Sequence, residues 1–186
     1  MAAVAQLTLA NQLTLLRIAL IPAFVILVLY GRLGWALTAF LSAGITDALD
    51  GLIARRAGQK TTLGAWLDPM ADKLLLVTAF IVLTVPDTGL RFRIPLWLTV
   101  LVISRDIAIV LTVAVVNLAI GRKTFAPSLL GKTATAVYIV TCLVVLVANY
   151  VGAGESLIWT AVVLSGAITI ISAIHYAAQV TRIVNS

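Results

Sequence analysis

Four aspartates lie close together in this 186-residue chain: Asp47 and Asp50, then Asp68 and Asp72. On a helix the first pair is spaced i, i+3 and the second i, i+4, so each pair shares one face. Convergent carboxylates are hard oxygen donors, suited to Mg²⁺ or Mn²⁺. A structural zinc site is not expected, because the chain holds one cysteine, Cys142, and one histidine, His175. The surrounding sequence is apolar, and there a carboxylate is expensive. Each costs ~2.5–3.5 kcal/mol at the centre of a membrane helix, and four cost on the order of 10 kcal/mol. Whole-domain stabilities are only about 5–15 kcal/mol, so something must compensate the charge. Spacing alone leaves three chemistries open: metal-dependent catalysis, ion or proton translocation, and pairing with neighbouring bases such as Lys73.

The elements that carry these residues are membrane spans. The chain is 62% hydrophobic and 11% charged, with mean hydropathy +1.13, far from the balance of a soluble domain. That composition excludes disorder and, with one cysteine, a disulfide-stapled module. Six apolar segments are expected to span: Gln12–Tyr30, Trp35–Ala54, Ala65–Val85, Ile94–Ile120, Thr133–Tyr150 and Leu157–Val180. In lipid the backbone must satisfy itself, so β-branched positions here are helical, and the alternation of a membrane barrel is absent. The expected fold is all-α: one polytopic domain over residues 1–186, a bundle of six transmembrane helices, with an interfacial helix near 2–13. The second span ends where the third begins, which puts all four aspartates at similar depth.

Charge sets the expected orientation. Arg55, Arg56, Lys60, Arg122, Lys123 and Lys132 fall in loops on the side of both termini, which argues for a cytoplasmic face there. Tyr30, Trp35, Trp97, Tyr150 and Trp159 fall at span ends on the other side, where amphipathic rings favour the headgroup region. The net charge of +6 is loop charge plus attraction to anionic lipid or a phosphorylated substrate; nucleic acid is not an expected partner. Neither a cleavable signal nor a presequence is read at the start, so the first span is expected to be retained. The expected location is a bacterial plasma membrane, with the acidic site facing the cytoplasm.

The residues between the aspartates narrow the chemistry. The segment reads Asp47-x2-Asp50-Gly51-x2-Ala54-Arg55-x8-Gly64-x3-Asp68-x3-Asp72. This resembles the signature of the CDP-alcohol phosphotransferase family, as do the six short-looped spans and the Asn11-x2-Thr14-x2-Arg17 opening. The resemblance implies transfer of a phosphoalcohol group from a CDP-linked donor, here CDP-diacylglycerol, to an acceptor hydroxyl with release of CMP. It assigns Asp47, Asp50, Asp68 and Asp72 to a binuclear Mg²⁺ or Mn²⁺ centre. Asp68 and Asp72 are its catalytic residues, with Asp72 the general base. Asp50, Gly51, Ala54, Arg55 and Gly64 would surround the nucleotide. It also implies a homodimer. Physics agrees in part: a diphosphate cannot approach four carboxylates without divalent cations, a glycine leaves room for close approach, and a guanidinium forks onto phosphate.

Other polar residues receive roles with alternatives beside them. Arg105 lies inside the fourth span, where it pairs with a carboxylate or reaches the acceptor phosphate; the second is preferred. Lys132 is a second acceptor-phosphate candidate, or a positive-inside anchor. Asp106 balances charge or orients a base. His175 is expected to be a hydrogen-bonded packing residue, and Cys142 inert packing. The family's glycerophosphate-using branch carries Arg-Glu in the fourth span and Gly-Lys-x-Lys-Thr at the fifth. Here those stretches read Arg105-Asp106 and Gly131-Lys132-Thr133-Ala134-Thr135. One cation is missing, which favours phosphatidylglycerol as acceptor and cardiolipin as product over glycerol 3-phosphate. A prenyl transferase is disfavoured by the mere 17 residues between Asp50 and Asp68. A cation transporter using the same carboxylates is the non-enzyme alternative.

Overall fold

A computed structural model describes residues 9–57, 62–119 and 129–184. Six helices make up nearly all of it: α1 (Leu9–Leu29), α2 (Leu33–Ala57), α3 (Thr62–Thr84), α4 (Leu96–Ala119), α5 (Leu129–Val151) and α6 (Glu155–Val184). No strand occurs among the described residues. Each helix overlies one expected span, with ends shifted by a few residues. The interfacial segment near 2–13 lies outside the described residues up to position 8; from Leu9 onward it belongs to α1.

The expectation of six full spans is met in helix number but not in apolar length. Three helices are long and apolar enough to cross a bilayer: Leu96–Val116, Leu129–Val151 and Glu155–Thr181. Their length and composition are those of a membrane protein. The apolar stretches of the other three are Thr14–Leu29, Leu33–Thr46 and Lys73–Thr84.

Contacts divide the chain into two compact units, Met1–Val82 with Pro86–Leu90, and Leu83–Val85 with Arg91–Ser186. In the first, α1 packs on α2. Thr14, Arg17, Phe24 and Val28 are buried along one stripe of α1, and Ala36, Ala39, Phe40 and Ala43 along one stripe of α2. The alanines let the helices approach closely, since lipid supplies no hydrophobic drive and packing must do the work. Phe24 and Phe40 meet with ring centroids 5.6 Å apart. The turn between them is a Schellman cap: the Arg32 N–H donates to Leu27 O (2.8 Å) and the Gly31 N–H to Val28 O (2.9 Å). Gly31 takes φ +68°, which a side chain would resist.

In the second unit α6 packs against both α5 and α4. Gly166 of α6 lies under the Trp97 ring of α4; a methyl there would come within 3.1 Å of it. A polar stripe runs down α6 instead of an apolar one: Ser165, Thr169 and Ser172 are all fully buried. Thr141 and Ser165 hydroxyls share a 2.7 Å bond, as do those of Tyr138 and Thr169. Such bonds hold membrane helices together at roughly 0.6–2 kcal/mol each. At the unit's end Asn149 clamps the chain entering α4. Its amide nitrogen donates to Phe92 O (2.8 Å) and its amide oxygen accepts from the Phe92 N–H (2.9 Å).

Replacing Asn149 by Ala removes both of those bonds and leaves partly buried backbone groups unsatisfied. A loss of about 1–3 kcal/mol is expected, seen as a lower melting temperature of the protein in detergent, with α-helical content unchanged before the melt.

Candidate active site

The acidic segment is helical on both sides of its connection. Asp47, Asp50, Gly51, Ala54 and Arg55 lie in the last part of α2, and Gly64, Asp68 and Asp72 in the first part of α3. Their side chains lie outside the described residues. Unbroken helix preserves the i, i+3 and i, i+4 spacing that puts each pair on one face. Position along the helices adds a second regularity. Asp50 lies seven residues before the end of α2 and Asp68 six after the start of α3, about 10 and 9 Å along the axes. Asp47 and Asp72 each lie ten residues from the same ends, about 15 Å. Four residues join the helices, which holds those ends within about 17 Å of each other. The donor set, four carboxylates without a thiolate or imidazole in the segment, fits Mg²⁺ or Mn²⁺. These residues would hold the metal.

Arg105 is described in full. Its side chain is 10% exposed and that of Asp106 is 22% exposed, and the two form an ion pair at 2.8 Å. A second guanidinium nitrogen donates to Ser172 Oγ at 2.5 Å. Its Nε–H is buried and has no partner. Of the two expectations for this residue, pairing with a carboxylate is what the structure shows. Arg105 borders a cavity of about 300 Å³ between α4 and α6, lined also by Ala108, Ile109, Thr112, Tyr176 and Ala177. An unsatisfied buried donor carries a desolvation cost that an anionic oxygen would remove. Asp106 balances charge, as expected.

Lys132 is exposed in the first turn of α5, and nothing brings it to Arg105. Ala134, in the position of the missing second lysine, is fully buried. Cys142 is fully buried packing, as read from the sequence. His175 corrects an expectation: it is exposed on α6, with no hydrogen bond among the described residues. The helix turns it off the Ser165–Thr169–Ser172 stripe, where the polar partners are.

One buried residue received no role from sequence reasoning. Arg17 is fully buried in α1, one turn from the equally buried Thr14. A buried guanidinium inside an apolar helix is held by partners and marks function. The Thr14-x2-Arg17 spacing in an otherwise apolar run was the available signal.

The profile of CDP-alcohol phosphatidyltransferases matches residues 7–170, both acidic helices included. The chain belongs to that family. A probable phosphatidylglycerophosphate synthase of Mycobacterium tuberculosis is 38% identical over 131 residues, covering 66% of this chain and 57% of the relative. A cardiolipin synthase (CMP-forming) of Rattus norvegicus is 32% identical over 197 aligned positions, covering 95% of this chain and 64% of the relative. One from Streptomyces coelicolor is 34% identical over 140, covering 69% and 60%. The chain therefore spans about three fifths of the length of these curated relatives.

Whether Arg105 serves the fold or the substrate can be separated by substitution. Arg105→Leu strands Asp106 and should cost roughly 1–3 kcal/mol of stability. Adding Asp106→Leu should recover most of the melting temperature. Transfer activity should stay lost in the double variant; recovery of both would make the arginine purely structural.

Proposed function

We propose that this chain transfers a phosphatidyl group from CDP-diacylglycerol to the hydroxyl of a glycerol-type acceptor, releasing CMP, and that the acceptor is phosphatidylglycerol. The observation that carries the reaction is the family's acidic signature, complete in this sequence and borne on two successive helices joined by four residues. With α3 folded back on α2, as so short a connection favours, Asp50 stands level with Asp68, and Asp47 with Asp72. Bound Mg²⁺ or Mn²⁺ would screen the donor diphosphate and stabilise the charge on departing CMP. Gly51 and Gly64 leave room for the nucleotide, and Arg55 forks onto its phosphate. The acceptor oxygen attacks the phosphorus that carries the diacylglycerol, and the bond from that phosphorus to the oxygen of CMP breaks. Asp72 takes the hydroxyl proton as attack proceeds, since a carboxylate of ordinary basicity cannot deprotonate a free alcohol beforehand.

Two observations bear on the acceptor. The cardiolipin synthase relative aligns with nearly the whole chain. The buried Ala134 puts a methyl where the glycerophosphate-using branch places a cation. A phosphodiester headgroup needs less positive charge than a phosphomonoester, and one guanidinium, that of Arg105, is enough for it. Glycerol 3-phosphate is the second reading, favoured by the 38% identical relative named as a probable phosphatidylglycerophosphate synthase.

The same reading extends to the setting: six membrane crossings, the acidic ends of α2 and α3 at the cytoplasmic face of a bacterial plasma membrane, and a homodimer. The positive-inside loops support the orientation. The largely uncovered apolar surface of α4 is compatible with a partner subunit as well as with lipid.

Purified protein supplied with CDP-diacylglycerol, Mg²⁺ and each acceptor separately should make cardiolipin from phosphatidylglycerol. Phosphatidylglycerophosphate formed from glycerol 3-phosphate, without cardiolipin, would reassign the acceptor and leave the family chemistry intact. Asp72→Asn should lower turnover by roughly 10²–10⁴-fold with an unchanged melting temperature.

A further inference from the structure

The chain entering α4 forms a second polar site, away from the acidic helices in sequence and independent of the reaction proposed above. Residues 91–95 read Arg-Phe-Arg-Ile-Pro. They are pinned by the Asn149 clamp on Phe92, by the Ile94 N–H donating to Leu83 O (2.9 Å), and by burial of Ile94. A cavity of about 170 Å³ lies between this segment and the start of α6. The segment contributes Arg91, Phe92, Arg93 and Pro95; α6 contributes Glu155 and Trp159. Arg91 is fixed in place, its Nη1 donating to Gly152 O (3.1 Å) and its guanidinium 5.2 Å from the Phe92 ring centroid. Its remaining N–H groups are uncommitted. Arg93 and Glu155 are exposed, and neither forms an ion pair among the described residues.

Depth identifies the environment. Trp97 at the start of α4, Tyr150 at the end of α5 and Trp159 at the start of α6 are all more than half exposed. In a membrane protein a collar of exposed Trp and Tyr at helix ends marks the headgroup layer. The cavity therefore opens where lipid phosphates reside, with two cations from one segment and one carboxylate from the facing helix.

We propose that this cavity binds the headgroup of a phosphatidylethanolamine-type lipid in the leaflet at that end of the helices. The phosphate is held by Arg91 and Arg93, whose guanidinium groups bond phosphate oxygens in pairs. The primary ammonium is held by Glu155. A headgroup without a cation would set Glu155 against negative charge. A quaternary ammonium would give it no hydrogen-bond donor.

The test uses the full chain purified in detergent, exposed in turn to phosphatidylethanolamine, phosphatidylglycerol and phosphatidylcholine of identical acyl chains, with retained lipid counted by native mass spectrometry. Phosphatidylethanolamine should be retained best. Arg93→Gln should lower its retention about fivefold, the effect of one interfacial cation, and Arg93→Lys should fall between. Glu155→Gln should abolish the preference over phosphatidylglycerol without weakening phosphatidylglycerol itself. Both positions are exposed, so these variants should melt like the parent protein. Equal retention of all three lipids, or an Arg93→Gln protein that retains as much as the parent, would overturn the proposal.

Discussion

Charge inside an apolar chain is the constraint on which everything else here depends. Four carboxylates and two buried guanidinium groups occupy helices that otherwise read as lipid-facing. None of these groups is tolerable without a partner, because burying an uncompensated ion costs several kcal/mol. Arg105 shows the resolution directly, with Asp106 and Ser172 taking two of its nitrogens. The aspartates on α2 and α3 share their segment with Arg55, Arg56, Lys60 and Lys73. Divalent metal, as proposed above, would be the compensation that also turns the cost into chemistry.

The two units answer different needs by different packing. In α1 and α2 an alanine stripe meets Phe24 and Val28, and the contact is made of close backbone approach. In α4, α5 and α6 hydroxyl pairs do much of the joining. Thr141–Ser165 and Tyr138–Thr169 are each satisfied within the unit, and Ser172 continues the row to Arg105. The stripe that assembles the helices thus ends on the residue that faces the cavity between α4 and α6. Arg105 is placed by the same kind of bond that holds the unit together.

Much of this was legible before any coordinates. Hydropathy located all six helices to within a few residues, because in lipid the helix is the only open solution for a segment of this kind. The acidic signature named a candidate site because its residues are close in sequence; their side chains lie outside the described residues. What sequence reasoning did not reach is polar pairing at long range. Ser165, Thr169 and Ser172 look like ordinary small residues until their partners, 24, 31 and 67 positions away, are brought alongside. Asn149 gave no hint of its clamp on Phe92, 57 positions earlier. The packing role expected of His175 failed for a related reason. One polar residue in an apolar run has two possible faces, and only neighbouring helices decide which is wet, buried or lipid-exposed.

The central claim is that the carboxylates of α2 and α3 hold the donor nucleotide through divalent metal. Calorimetric titration of the purified protein with CDP-diacylglycerol in mixed micelles tests this without requiring turnover or knowledge of the acceptor. Binding should be strong with Mg²⁺ or Mn²⁺, vanish in excess chelator, and be lost with metal present in an Asp47→Asn, Asp50→Asn double variant that still melts like the parent. Undiminished binding in chelator, or in that variant, would contradict the account.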